Sequence, residues 1–418
     1  MLFRVYLWFD DKKMRRVVVT GVGVISGLGS NAAQFWDAIK AGRSGIDEIT
    51  KVDMSNIRFK RGAEVKDFDP AAHFDDKDLM WLDPFCQFGI VSAREAIVDA
   101  GIEFDEKLKD RTGVITGNCL GGKTTECDIY ERFYLQKIDR HPPTAIPRAM
   151  SNAVSSHVSM EFGLTGATFT TSTACSSANH AIGQAFWLVR QGTLDAVVAG
   201  GSEAPICYGN LRAWETMRVV SPDTCRPFSK DRSGMILGEG GAMFVLETLE
   251  MAQARGAKIY AEIVGAGMSA DAHHLTMPLS EGAAKAMRLA MEDGGLRPEQ
   301  VGYVNAHGTA TQANDPMEAE AIRKVFGDHA DNVAVSSTKS MHGHTLGAAG
   351  AIEMAATVLG MHNDLLPPNI NFNEKDPECD LDIVANEARP SEIEAALSNS
   401  FAFGGLNAVL AFRSWNGK

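Results

Sequence analysis

The first residue of this chain whose placement suggests chemistry is Cys175. It stands in TSTACSSANHAIGQAF, just after a strand-like TFTTST and just before a strongly helical run. A thiol at a helix N-terminus meets unpaired N–H groups and the positive end of the helix dipole, which favour the thiolate, the form that attacks a thioester. The same N–H groups are placed to receive an oxyanion. Taken alone, one cysteine among seven is more often a small buried hydrophobe. Two histidine segments change that weighing. NAHGTATQAND puts His307 at the end of a predicted strand in a glycine-rich turn, and SSTKSMHGHTLGAAGAIE puts His344 at another strand-to-helix turn, five residues after Lys339. Strand-end loops of α/β proteins are where ligand groups gather, so Cys175, His307 and His344 form a candidate Cys/His constellation.

Other reactive residue types carry less. GVGVISG brings Gly21, Gly23 and Gly27 together, but Ser26 occupies the place where a dinucleotide fingerprint needs its third glycine. His342 and His344 have no Cys, His or carboxylate nearby at metal spacing, so no metal is expected. His180, on a helical run that is apolar nearly all round, reads as a satisfied interior histidine. The seven cysteines (Cys86, Cys119, Cys127, Cys175, Cys207, Cys225, Cys379) include no C-x-x-C pair, which fits a reducing, cytoplasmic compartment.

Positioning such groups falls to the elements around them. From Arg15 onward, β-branched runs (VVVTGVGV, DRTGVITGN, DAVVAGGSE, KIYAEIVGAG, VGYVNAHGT) alternate with helical stretches, the pattern of βα units around sheets buried on both faces. The 418 residues are divided into an N-terminal extension (1–13), a first half (14–265) and a second half (266–418), packed as one body because no Pro-, Ser- or charge-rich linker separates the halves. Lys and Arg number 40 against 53 Asp and Glu, a net charge of -13, which argues against a nucleic-acid partner. Mean hydropathy is -0.10 and no long uncharged apolar run occurs, so a membrane-spanning helix is not expected.

TACSSA, NAHGTAT, SSTKSMHGHTLGAAG and the closing NSFAFGGLNAVLAF together resemble the β-ketoacyl-acyl-carrier-protein synthases, over about residues 15–413, and specifically their type II elongating (FabF-like) branch. SMHGH, SPDTCRPFSKDR and ACSSANHAI are most similar to the NodE-like subgroup. The resemblance implies an α/β thiolase fold, five-layered αβαβα built from two pseudo-equivalent halves. It also implies a homodimer, or alternatively a heterodimer with a chain-length-factor-like subunit. The implied reaction is acyl transfer to Cys175 followed by decarboxylative Claisen condensation with malonyl-carrier protein, lengthening a fatty-acyl or polyketide-like chain by two carbons. In that scheme His307 and His344 hold the malonyl thioester carbonyl, and Lys339 with Glu318 orders the site. Phe403 is the gate, its N–H joining that of Cys175 in the oxyanion hole. Thr309 and Thr311 bind the phosphopantetheine arm, which the acyl carrier protein brings, so no cofactor is expected.

This acidic chain must meet an acidic carrier protein through local cations, and Lys77, Arg140 and Arg218 lie in segments corresponding to the family's docking surface. Three departures bear on substrate choice: Ala402 in FAFGG where glycine is usual, Leu406 where threonine is usual, and Met80 and Trp81 where basic residues are common. Two alternatives are a non-catalytic chain-length factor, against which Cys175 argues, and a thiolase or type III initiating synthase acting on CoA esters, whose sites are Cys-His-Cys or Cys-His-Asn.

Overall fold

The computed structural model describes residues 14–415; the extension expected at 1–13 lies outside them. The principal sheet has eleven strands: β1 (Val17–Ser26), β2 (Thr112–Gly117), β3 (Thr168–Thr171), β4 (Ala196–Glu203), β5 (Gly240–Thr248), β6 (Ala261–Ala270), β7 (Val301–Asn305), β8 (Ala334–Ser336), β9 (Asp382–Ile383), β10 (Ala395–Ala402) and β11 (Leu406–Ser414). In space they run β9-β8-β7-β10-β11-β6-β1-β5-β4-β2-β3. Read outward from the middle, one half is β1-β5-β4-β2-β3 and the other β6-β11-β10-β7-β8, the same order when each half is counted along the chain without the two-residue edge strand β9. The strand directions repeat too. β5 is antiparallel to β1 and β4, and β2 is parallel to β4 and β3. Correspondingly, β11 is antiparallel to β6 and β10, and β7 is parallel to β10 and β8.

The halves join where residues 17–19 pair antiparallel with residues 261–263. The division expected near Gly265 therefore falls inside β6: by strand count the second half opens with β6, the counterpart of β1. The sheets are also mixed, each half carrying an antiparallel strand between its parallel pairs and the centre.

Helices complete the layers: α1 (Pro84–Ala100), α2 (Lys123–Tyr130), α3 (Ser177–Arg190), α4 (Tyr208–Met217), α5 (Ser280–Asp293), α6 (Asn314–Phe326), α7 (Lys339–His342) and α8 (Ala349–His362). α1 covers the outer face of β1, β5 and β4, and α5 covers β6 and β11. α3 and α8 pack on each other and touch strands of both halves, so they are the middle layer of an αβαβα stack. Their composition follows from that position. In α8 every residue from 349 to 361 is buried, and its sequence has no polar face. α1 has a local start and stop: Asp83 caps it by accepting the Phe85 N–H, Pro84 opens it, and Gly101 closes it at φ 58°.

The glycines of GVGVISG serve packing. A Cβ on Gly21 would lie 2.0 Å from the Ala96 carbonyl oxygen, and one on Gly23 would lie 2.0 Å from that of Ser92. α1 thus lies directly on β1, and neither glycine faces an open phosphate site. Among the described residues no helix is long and apolar enough to cross a membrane.

Gly23→Ala should cost at least about 1–3 kcal/mol by forcing α1 off β1. A lowered urea midpoint would show it. Gly302→Ala, at a position with nothing within 4 Å, is the control and should unfold near the wild-type midpoint.

Candidate active site

β3 ends at Thr171 and α3 begins at Ser177, so Cys175 lies in the turn between them, as its sequence context suggests. The turn is tight: Ala174 adopts φ 51°, which a non-glycine residue rarely does. Side chains pin it. The Thr173 N–H donates to Ser177 Oγ (2.8 Å), Ser177 Oγ donates to the Ala174 carbonyl (2.6 Å), and Ser176 Oγ donates to the Thr173 carbonyl (2.9 Å). His180 Nδ1 sits 3.0 Å from Thr173 Oγ1 and 3.1 Å from the Ser176 carbonyl. It braces the turn, in keeping with an interior histidine.

His307 follows β7. Its N–H and that of Gly308 donate to the two oxygens of Glu318 on α6, at 2.8 and 2.7 Å. His344 lies between α7 and α8, held by its N–H to the Ile236 carbonyl at 2.6 Å. The two imidazoles meet edge to face, centroids 5.4 Å apart. One donor atom each from Cys175, His307 and His344 lies within 4.8 Å of the others, all three residues being buried. The constellation assembled from three separate segments is therefore one site.

Lys339, on α7, is completely buried, as is Glu353 on α8. The ammonium donates to Glu353 Oε1 and to the His307 carbonyl, and it lies 3.3 Å from His307 Nδ1. Glu353 was not singled out from the sequence. Its signal there is a lone carboxylate in the otherwise apolar GAAGAIEMAATVLGM. The carboxylate paired with Lys339 is thus Glu353; Glu318 instead holds the backbone of the His307 loop and accepts from Asn399 Nδ2 at 3.1 Å.

Electrostatics follow from burial. Desolvation and the Lys339 charge hold both His307 and His344 well below the usual imidazole range, so both rings are neutral. Burial pushes the Cys175 thiol up to about 11, against the opposing pull of Lys339 and the N–H groups of Phe403 and Cys175 itself. Desolvation thus opposes the thiolate expected from the helix start. Burial also lifts Glu353 to about 7, with Lys339 opposing. A Cys-His-His triad could in principle ligate a metal, but the Lys339 ammonium beside His307 repels a cation there. His342 turns away from the triad, its Nε2 3.0 Å from Thr338 Oγ1.

The triad lines a cavity of about 370 Å³ together with Thr309, Thr311, Trp214 and Phe403. Thr309 and Thr311 bring their hydroxyls within 2.9 Å of each other. Phe403 stacks on Trp214 with centroids 6.2 Å apart. Ala402 ends β10 paired with Leu406, so both departures flank one strand turn, which holds Gly404 and Gly405 at φ 85° and 67°. Residues 274–278 form a further wall, tied to the Phe403 loop by the Gly404 N–H on the Leu275 carbonyl (2.7 Å). Nothing in HHLTMP marks it in the sequence. Of the three cations, Arg218 lines the cavity, whereas Lys77 and Arg140 are exposed elsewhere. Met80 and Trp81 are exposed as well, which excludes a core role for Trp81.

Comparison with known proteins gives this geometry its context. Residues 14–252 match the β-ketoacyl synthase N-terminal domain and residues 260–373 the β-ketoacyl synthase C-terminal domain. The chain is 47% identical to Nodulation protein E of Rhizobium sp. (strain N33), over 96% of this chain and 99% of that protein. It is 45% identical to 3-oxoacyl-[acyl-carrier-protein] synthase 2 of Coxiella burnetii, over 95% and 98%. Among solved structures, the ishigamide ketosynthase/chain length factor superposes with a TM-score of 0.91 at 36% identity, covering 96% of this chain and all of that one. With both domains matched and the relatives aligned almost end to end, the chain belongs to the β-ketoacyl synthase family, condensing enzymes that elongate acyl chains.

Proposed function

We propose that Cys175 carries the growing acyl group and that His307 and His344 run the condensation on it. The observation that supports this most is the meeting of one thiol and two neutral imidazoles, within 4.8 Å of one another, on the wall of the cavity. In the first half-reaction Cys175 sulfur bonds to the carbonyl carbon of an acyl thioester. The carbonyl oxygen becomes an oxyanion held by the Phe403 and Cys175 N–H groups, and the carrier's thiolate leaves as the C=O re-forms. The thiol's proton has the neutral imidazoles as its nearest acceptors. In the second, the malonyl C–C bond to the carboxylate breaks, carbon dioxide leaves, and the electron pair moves onto the thioester oxygen as an enolate. Imidazole N–H groups stabilise that oxygen without a metal. The carbanion then bonds to the acyl carbon and the C–S bond to Cys175 breaks, leaving a chain two carbons longer.

Lys339 and Glu353 position His307, and the Lys339 charge lowers the cost of ionising Cys175 while the Glu353 carboxylate opposes it. Thr309 and Thr311 take the pantetheine arm that the carrier protein supplies, so no bound cofactor enters. Arg218, exposed at the cavity, is the docking cation favoured here; Lys77 and Arg140 are left to a wider rim. A second copy of the chain is the favoured partner subunit. β3 is an open sheet edge with Phe169 exposed. The adjoining segments expose Tyr134, Leu135, Ile146 and Met150, an apolar surface of the kind that dimers cover. The likeness to Nodulation protein E supports a specialised acyl chain over a housekeeping one.

Incubation with an acylated carrier protein should add one acyl group to the intact mass, on the Cys175 peptide, and Cys175→Ser should add none; an acyl group elsewhere would overturn the assignment. In the unloaded enzyme, iodoacetamide labelling of Cys175 should keep rising with pH and level off only near about 11, since burial holds the thiol protonated below that. His307→Ala and His344→Ala should each load Cys175 but lose malonyl decarboxylation by about two to three orders of magnitude, the effect of one oxyanion donor. Measuring the half-reactions separately checks this. Phe169→Glu should shift the protein toward monomer in sedimentation velocity.

A further inference from the structure

Away from the active site, two thiols that are 80 residues apart in the chain lie side by side. Cys127 Sγ on α2 is 3.0 Å from Sγ of Cys207, the residue that precedes α4, leaving no room for an atom between them. Their surroundings are unequal. Cys127 shares a hydrogen bond with the Cys207 thiol, faces the Gly209 and Asn210 N–H groups in the first turn of α4, and has Lys123 one turn earlier on α2. These lower its thiol below the ordinary range, while the shared hydrogen bond and burial raise that of Cys207. The remaining five cysteines, Cys175 included, are all raised by burial. Cys127 is also only partly buried, so a small oxidant reaches it. Reactivity toward an oxidant follows thiolate character and access, and both favour Cys127.

We propose that Cys127 and Cys207 are a second thiol site, which hydrogen peroxide oxidises to a reversible disulfide linking α2 to α4. The Cys127 thiolate attacks one peroxide oxygen; an S–O bond forms, the O–O bond breaks, and the departing hydroxide takes a proton to become water. Cys207, as it loses its proton, attacks the sulfenic sulfur of Cys127. The S–S bond forms, the S–O bond breaks, and a second water leaves. Two thiols are oxidised by two electrons and one peroxide is reduced. The link bears on the active site through α4, whose Trp214 stacks on Phe403 and whose Met217 lines the cavity. Fixing the start of α4 restrains the surface against which Phe403 moves, and condensation slows. That consequence rests on the condensing reading; the disulfide itself does not.

The test treats the full-length protein with hydrogen peroxide at neutral pH and maps its peptides without reduction. Expected are a crosslinked Cys127–Cys207 pair, the loss of two hydrogens from the intact mass, and a several-fold drop in condensation, all reversed by dithiothreitol. Cys207→Ser should keep the untreated rate and instead accumulate a dimedone-reactive sulfenic acid at Cys127. Cys175 oxidised first, or no crosslinked pair in the wild-type protein, would overturn the site. A crosslinked pair with an unchanged rate would overturn its effect on α4.

Discussion

The arrangement of this molecule turns on one buried ion pair. Lys339 and Glu353 are both completely shielded from water, and a charge in that position is tolerable only when its partners are all in place. The ammonium meets that condition with the Glu353 carboxylate, the His307 carbonyl and the His307 ring around it. Its charge then acts on every neighbour. Added to desolvation, it keeps His307 and His344 neutral, and it offsets part of the desolvation that holds Cys175 protonated.

The pseudo-equivalence of the halves explains how such a pair can exist. α3 follows β3, and α8 follows β8, its counterpart; these two helices form the middle layer, and both start at the active site. Cys175 precedes one, and Lys339 and His344 precede the other. The strands before them match as well. Glu318 receives the N–H groups of His307 and Gly308 after β7, while Glu203 receives those of Cys119 and Leu120 after β2, and also that of Gly347. Each half thus uses a buried carboxylate to hold a strand-end loop. Burial raises Glu203 to about 8 and raises Glu318 as well, and the N–H groups each binds oppose that rise.

Access is arranged separately from chemistry. The cavity wall is built from the Phe403 turn, the end of α4 and residues 274–278, joined by the Gly404–Leu275 hydrogen bond and the Phe403–Trp214 stack. Ala402 keeps ordinary extended geometry within β10, so the positive-φ positions that allow the turn are Gly404 and Gly405.

Much of this was legible in the residues alone. The strand, turn and helix around Cys175 are written in consecutive residues, as are the turns carrying His307 and His344, because such motifs depend on local backbone preference. The alternation of β-branched and helical runs likewise pointed to layered βα units. What the sequence could not decide was set by contacts between distant segments. Glu353 became the partner of Lys339 only because the apolar run around it forms the central helix. The Cys175 thiol went up, and the Cys127 thiol down, because burial and neighbours from other elements outweigh a residue's own place on a helix. Gly265 looked like a boundary and lies within a central strand, since the pairing of β1 with β6 is long-range. Local sequence determined the groups and the turns that present them; the tertiary structure decided their partners, their solvation and hence their protonation.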